Sequence, residues 1–73
     1  MDDKIKATGT VKWFNLEKGY GFIEDDFTKR DVFVHITNVR KSNLSTLNPG
    51  ERFSYTSIDH RGRPTAAGLE RLP

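Results

Sequence analysis

Along most of the chain apolar and polar residues alternate with a period of two. That pattern predicts short strands with one buried face. Thr8 to Asn15 is rich in Thr, Val, Trp and Phe and reads as a first strand, after a polar lead-in from Met1 to Ala7 in which residues 1–4 are expected to fray. Simple alternation would put Val11 and Trp13 on one side and Lys12 and Phe14 on the other. If Val11 and Phe14 are both core, alternation breaks between them, and a β-bulge is the device that breaks it. Leu16 to Gly19 reads as a tight turn and Tyr20 to Glu24 as a second strand, with Gly21 at its middle. Glu24 to Arg30 is a charged hairpin loop, and Asp31 to Ile36 is a third strand.

After His35 the alternation lapses. Thr37 to Val39 suits a short helical turn, and Arg40 to Asn48 reads as a long polar loop broken by Leu44 and Leu47. Pro49-Gly50 marks a turn. Glu51 to Ile58 sets Phe53 and Tyr55 against Arg52, Ser54 and Thr56 as a fourth strand. Asp59 to Pro64 is a second charged turn, and Thr65 to Leu72 is a fifth strand with Ala67 and Leu69 inward. No stretch shows a convincing helical apolar period, and there is neither repeat nor linker. A single all-β domain over residues 5–72 is expected, folded as a small five-stranded barrel.

The faces of these strands carry the chemistry. Tyr20 and Phe22 share one face of the second strand, and Phe33 and His35 share one face of the third. Val32, Val34 and Ile23 suffice for the inward side. The rings are then left toward water, with Lys12 and Lys18 beside them, an arrangement suited to stacking on unpaired bases while neutralising phosphates. Taken singly, Trp13 and Phe22 read as core, because aromatics usually are. Together with Tyr20 and Phe33 they are too many for one face of so small a barrel. His35 has a plain surface reading and a stacking one, and its place beside Phe33 favours stacking. Lys12 and Lys18 read either as solubility and edge residues or as phosphate contacts. Arg61 and Arg63 lie in a turn where charge is ordinary, so phosphate contact and simple solvation stand level, as they do for Arg40 and Lys41. The acids Glu24, Asp25 and Asp26 read as a solvated turn rather than a metal site.

Composition narrows the remaining classes. A chain of 73 residues has room for one thin core. It has no cysteine, hence no disulfide, thiolate ligand or thiol nucleophile, which fits a reducing compartment and a cytoplasmic location. The acidic start, Met1-Asp2-Asp3-Lys4, has no apolar run behind it and argues against a signal peptide. No apolar stretch reaches membrane-spanning length. A net charge of +2 permits nucleic-acid binding without suggesting it. His35 and His60 are the only histidines, and neither has a serine with an orienting partner nearby. Gly19 and Gly21 resemble a fragment of a phosphate loop but lack the helix such a loop must open. No enzymatic activity, metal or cofactor is expected. An RNA-recognition-motif domain would use a similar Lys-Gly-Tyr-Gly-Phe strand but needs two packed helices. A barrel gripping proline-rich peptides explains the rings but not the lysines among them.

Three motifs, Gly9-Thr10-Val11-Lys12-Trp13-Phe14-Asn15, Lys18-Gly19-Tyr20-Gly21-Phe22-Ile23 and Asp31-Val32-Phe33-Val34-His35, resemble the signature of the bacterial cold shock proteins. They are similar also to the cold shock domain of the eukaryotic Y-box proteins. The resemblance runs from about Ile5 to Leu72. It implies a five-stranded antiparallel oligonucleotide/oligosaccharide-binding-type (OB-fold) barrel. It implies binding of single-stranded RNA and DNA with low sequence selectivity, and roles as an RNA chaperone, a transcription antiterminator or a regulator of translation in the cold shock response. By the same resemblance Lys12, Trp13, Lys18, Tyr20, Phe22, Phe33 and His35 form the nucleic-acid surface, and Asn15 and Asp31 contact bases or shape it. Val11, Ile23, Val32, Val34, Val39, Phe53 and Leu69 fall in the core, with Phe14 partly so. Two departures stand out: Ile36 replaces the usual Phe after the histidine, and Leu44 stands where the long loop often carries another aromatic. Weaker or shorter binding is the expected result. A monomer, with no membrane or small-molecule partner, is expected.

Overall fold

The computed structural model describes the backbone of residues 4–73 and the side chains of residues 5–73. Its elements are β1 (Lys4–Asn15), β2 (Tyr20–Asp25), β3 (Asp31–His35), α1 (Ile36–Lys41), β4 (Arg52–His60) and β5 (Arg63–Arg71). The strands close into a barrel in the order β1-β2-β3-β5-β4. The ladders are antiparallel except at the closure, where Phe33 and Thr65 form a parallel bridge between β3 and β5.

β1 is long because it serves two neighbours. Lys4 to Thr10 pairs with β4, and Gly9 to Asn15 pairs with β2. The register slips between Val11, opposite Ile23, and Trp13, opposite Phe22, leaving Lys12 as the extra residue. This is the expected bulge. It turns Lys12 and Trp13 outward in succession while Val11 is buried and Phe14 packs on the core. At Gly21, opposite Phe14, a Cβ would lie 2.3 Å from the Trp13 carbonyl oxygen and 2.6 Å from Phe14 Cα. No side chain fits there, so glycine lets β1 and β2 approach behind the outward rings.

Every core residue implied by the resemblance is buried, and Leu47, Tyr55 and Ala66 join them. Several boundaries move. Lys4 pairs with Ile58, so β1 begins four residues before Thr8; the rest of the expected frayed segment, residues 1–3, lies outside the described residues. β3 ends at His35, and Ile36 opens a helix instead of ending the strand. The imidazole Nδ1 of His35 accepts from the Thr37 N–H at 3.2 Å and also contacts the Thr37 hydroxyl, capping α1. The helix is six residues long and buries only Val39, too little to print an apolar period. The polar segment after it is anchored by buried Leu47 and half-buried Leu44. Ser42 ties it to β5: its hydroxyl donates to the Asn38 carbonyl at 2.8 Å and accepts from the Leu69 N–H at 2.9 Å.

In β5 the inward residues are Ala66 and Leu69, not Ala67 and Leu69. Ser54 faces Glu70 and Thr56 faces Ala67, so two residues of β5 oppose one of β4. Gly68, at φ +59°, absorbs this second bulge.

The acidic hairpin loop also departs from expectation. Asp25 is buried rather than solvated, at 7% exposure. Its carboxylate accepts from the backbone N–H of Phe27 at 2.8 Å and of Thr28 at 2.9 Å, and from the Tyr55 hydroxyl at 2.9 Å. Burial pushes the Asp25 carboxyl up, but these hydrogen bonds outweigh it and hold it below the usual carboxylate value. The adjacent Asp26 accepts from the Thr8 hydroxyl at 2.7 Å and pairs with Arg52 at 2.7 Å, and those partners lower it as well. The same contacts raise the Tyr55 phenol, through burial first and then the Asp25 carboxylate. Phe27, at the loop tip, is 93% exposed and stands apart from the other rings.

Candidate nucleic-acid interface

β2 and β3 each present alternate residues outward, and the β1 bulge adds Trp13 beside them. Residues paired across the strands bring the rings together: Phe22 lies opposite both Trp13 and Phe33, and Tyr20 lies opposite His35. Trp13 meets Phe22 edge-on at 5.4 Å between centroids and Tyr20 at 5.6 Å. Tyr20 stacks on Phe33 at 5.8 Å, Phe22 meets Phe33 at the same distance, and Phe33 reaches His35 at 6.3 Å. The five rings thus make one continuous strip outside the core. Trp13 is 41% exposed, His35 is exposed, and Tyr20, Phe22 and Phe33 are half-buried by one another. Contiguous apolar surface of this kind is where small domains tend to make contacts.

The charged residues fall around this strip in distinct ways. The Arg63 guanidinium lies over the Phe33 ring at 5.2 Å. Lys12 Nζ is paired with Asp31 at 3.1 Å, both residues exposed, and Asp31 shares the outward face of β3 with Phe33 and His35. Lys18 is exposed on the Leu16–Gly19 turn. Asn15 shapes that turn: its side-chain carbonyl accepts from the Lys18 N–H at 2.9 Å, and its backbone carbonyl accepts from the Gly19 N–H at 2.8 Å. Arg61 sits at the tip of the β4–β5 hairpin and lines a groove beside Phe33. Ile36 and Leu44 pack against the edge of the core. Sequence reasoning overlooked Asn38, His60 and Thr65, which line a groove next to Phe33. They come from three elements far apart in the chain, and only the barrel closure brings them beside Phe33.

A closed barrel carrying an outward aromatic strip with cations at its margin defines a small oligonucleotide-binding-type module. A sequence model described as the 'Cold-shock' DNA-binding domain matches residues 7–72, and the chain belongs to that family of nucleic-acid-binding domains. It is 47% identical over 68 residues to the probable cold shock protein y4cH of Sinorhizobium fredii, covering 90% of this chain and 99% of that one. It is 43% identical over 67 residues to the cold shock-like protein CspA of Vibrio cholerae and 40% identical over 67 residues to CspG of Escherichia coli. Each of those two alignments covers 92% of this chain and 96% of the relative. Among the described residues no helix is long and apolar enough to cross a membrane.

Proposed function

We propose that this protein binds single-stranded RNA and DNA with little sequence selectivity, stacking successive bases on Trp13, Tyr20, Phe22, Phe33 and His35. The observation that carries this reading is the unbroken chain of ring contacts on the outer face of β1–β3. Each base has a π-face, so a strip of rings grips any sequence, and each stacked base contributes roughly 1–3 kcal/mol. Lys12 and Lys18 neutralise phosphates, with Arg61 and Arg63 on the hairpin side. Asn15 acts by shaping the turn that carries Lys18. Holding RNA unpaired opposes hairpins without an energy source, the property needed of a cytoplasmic RNA chaperone, an antiterminator or a translational regulator in cold-stressed cells. A monomer suffices for it. The test is Trp13 fluorescence during titration with a short oligothymidine. Quenching that weakens as salt is added supports the reading. Quenching by a proline-rich peptide alone would overturn it.

Asp31 tempers this surface by holding Lys12. The pair is exposed, so it contributes little to stability. Asp31→Asn should release Lys12 to a phosphate, tighten oligothymidine binding a few-fold at low salt, and steepen the log–log salt slope by about 0.7. An unchanged slope would mean that Lys12 does not reach the strand.

Ile36→Phe should raise oligothymidine affinity by about tenfold, one further stacked base. Titration of the variant and wild type side by side checks this. Equal affinities would show that the missing ring is compensated elsewhere.

A further inference from the structure

β3 and β5 meet at a single bridge, Phe33 opposite Thr65. Alternation along β5 sets Arg63 on the same face as Thr65, beside the outward ring of Phe33. The Arg63 guanidinium lies over that ring, its central carbon 5.2 Å from the centroid. Of the five rings of the strip, only Phe33 carries a cation among the described residues. The rest of its surround is taken by rings. Tyr20 stacks on it with planes 25° apart, and Phe22 and His35 meet it at 5.8 Å and 6.3 Å. A guanidinium is planar and lies on an aromatic face as a base does. The place a base would take on Phe33 is thus filled by the protein's own side chain. Little else holds that side chain. Arg63 is exposed and forms no ion pair among the described residues, where only its backbone carbonyl is engaged, by the Thr65 hydroxyl at 3.4 Å. The groove beside Phe33, lined also by Asn38, Ile58 and His60, gives the guanidinium room to swing.

We propose that Arg63 is a lid on Phe33. In the free protein it occupies the stacking place; when a strand enters, a base takes the ring and the guanidinium moves to the adjoining phosphate. The inference rests on the stacking function above and adds a displacement step to it. The two positions exclude each other, so Arg63 opposes binding through one contact and favours it through the other. An exposed cation–π contact resists removal by a factor of about two to five. That contact is short-ranged and depends little on salt, whereas a phosphate contact weakens steeply as salt is added. The balance between the two therefore changes sign with ionic strength. A cation that met only phosphates, or that carried the base on its own plane, would favour binding at every salt concentration.

The test compares wild type with Arg63→Ala in oligothymidine titrations followed by Trp13 fluorescence across a range of salt. The variant should bind a few-fold more weakly at about 50 mM salt and about two- to fivefold more tightly near 1 M, with a log–log slope shallower by about 0.7. In a Phe33→Ala background the same substitution has no ring to uncover, and it should weaken binding or leave it unchanged throughout. Nuclear magnetic resonance gives a direct readout. The Arg63 side-chain protons, moved upfield by the Phe33 ring in the free protein, should return toward ordinary positions in the complex. If Arg63→Ala never binds more tightly than wild type, or the gain at high salt persists without Phe33, or the protons stay upfield in the complex, the lid is wrong and the stacking function stands. If wild type binds no strand, both fall.

Discussion

Replacing Phe33 with alanine should weaken oligothymidine binding by about tenfold to a hundredfold, the largest loss of any single ring. Phe33 holds the middle of the strip. It touches Tyr20, Phe22 and His35, and it carries the Arg63 guanidinium. Its removal takes away a stacking surface and lets its neighbours swing. Phe22→Ala, which frees Trp13 on one side and Phe33 on the other, should follow closely. Neither ring belongs to the buried core, so both variants should keep a β-type circular dichroism spectrum and a cooperative unfolding transition. Folded variants that bind as tightly as wild type would remove the rings from the mechanism. Variants that no longer fold would show the rings to be structural.

The largest expected effect on stability lies at the far end of β2, on its buried face, at Asp25. Asp25→Ala leaves two backbone N–H groups and the Tyr55 hydroxyl without their acceptor. The Tyr55 hydroxyl, the buried one of the three, costs about 1–3 kcal/mol when left unsatisfied, and the two N–H groups of the exposed loop residues add less, for a total of roughly 2–4 kcal/mol. A domain of this size holds roughly 0.05–0.15 kcal/mol per residue, about 4–11 kcal/mol in all, so the variant should lose a large share of its stability and unfold at a clearly lower urea concentration. Tyr55→Phe removes only one of the three bonds and should cost about 1 kcal/mol. Urea unfolding followed by Trp13 fluorescence measures both. A midpoint for Asp25→Ala within error of wild type would mean that water or a loop rearrangement replaces the carboxylate.

The same carboxylate sets the acid limit. Its native value lies below the ordinary 3.8, so the unfolded chain takes up the proton first as pH falls. The stabilisation is therefore complete above that ordinary value and drains away as pH drops through the lower native one. Asp26 acts in the same direction. Asp25→Asn should flatten the acid limb of the stability curve while leaving the ring strip untouched.

Why the sequence disclosed the strip but not this loop follows from what each rests on. The rings stand at alternate positions of β2 and β3, and a period of two is visible in any sequence. The β1 bulge was legible because Val11 and Phe14 cannot both face inward without one. Asp25 shows no such pattern. Its burial depends on Tyr55, thirty positions away, and three consecutive acids in a turn look solvated. Leu47 was hidden similarly, because a lone leucine in a polar run shows no partner. The second bulge was invisible: Ala66 and Ala67 are chemically identical, and only the conformation of Gly68 decides which points inward.

The spacing of the rings has one last consequence. Their centroids sit 5.4–6.4 Å apart, a pitch imposed by paired β-strands. Neighbouring nucleotides in a helical strand rise by only about 3.4 Å. On the proposed stacking mode, a polymer laid on this surface would be stretched, with each nucleobase parted from its neighbour and handed to a side chain. Strands whose bases cling weakly to one another, such as uridine tracts, surrender that contact most cheaply. Selection among transcripts would then reflect how readily RNA comes apart rather than what it spells.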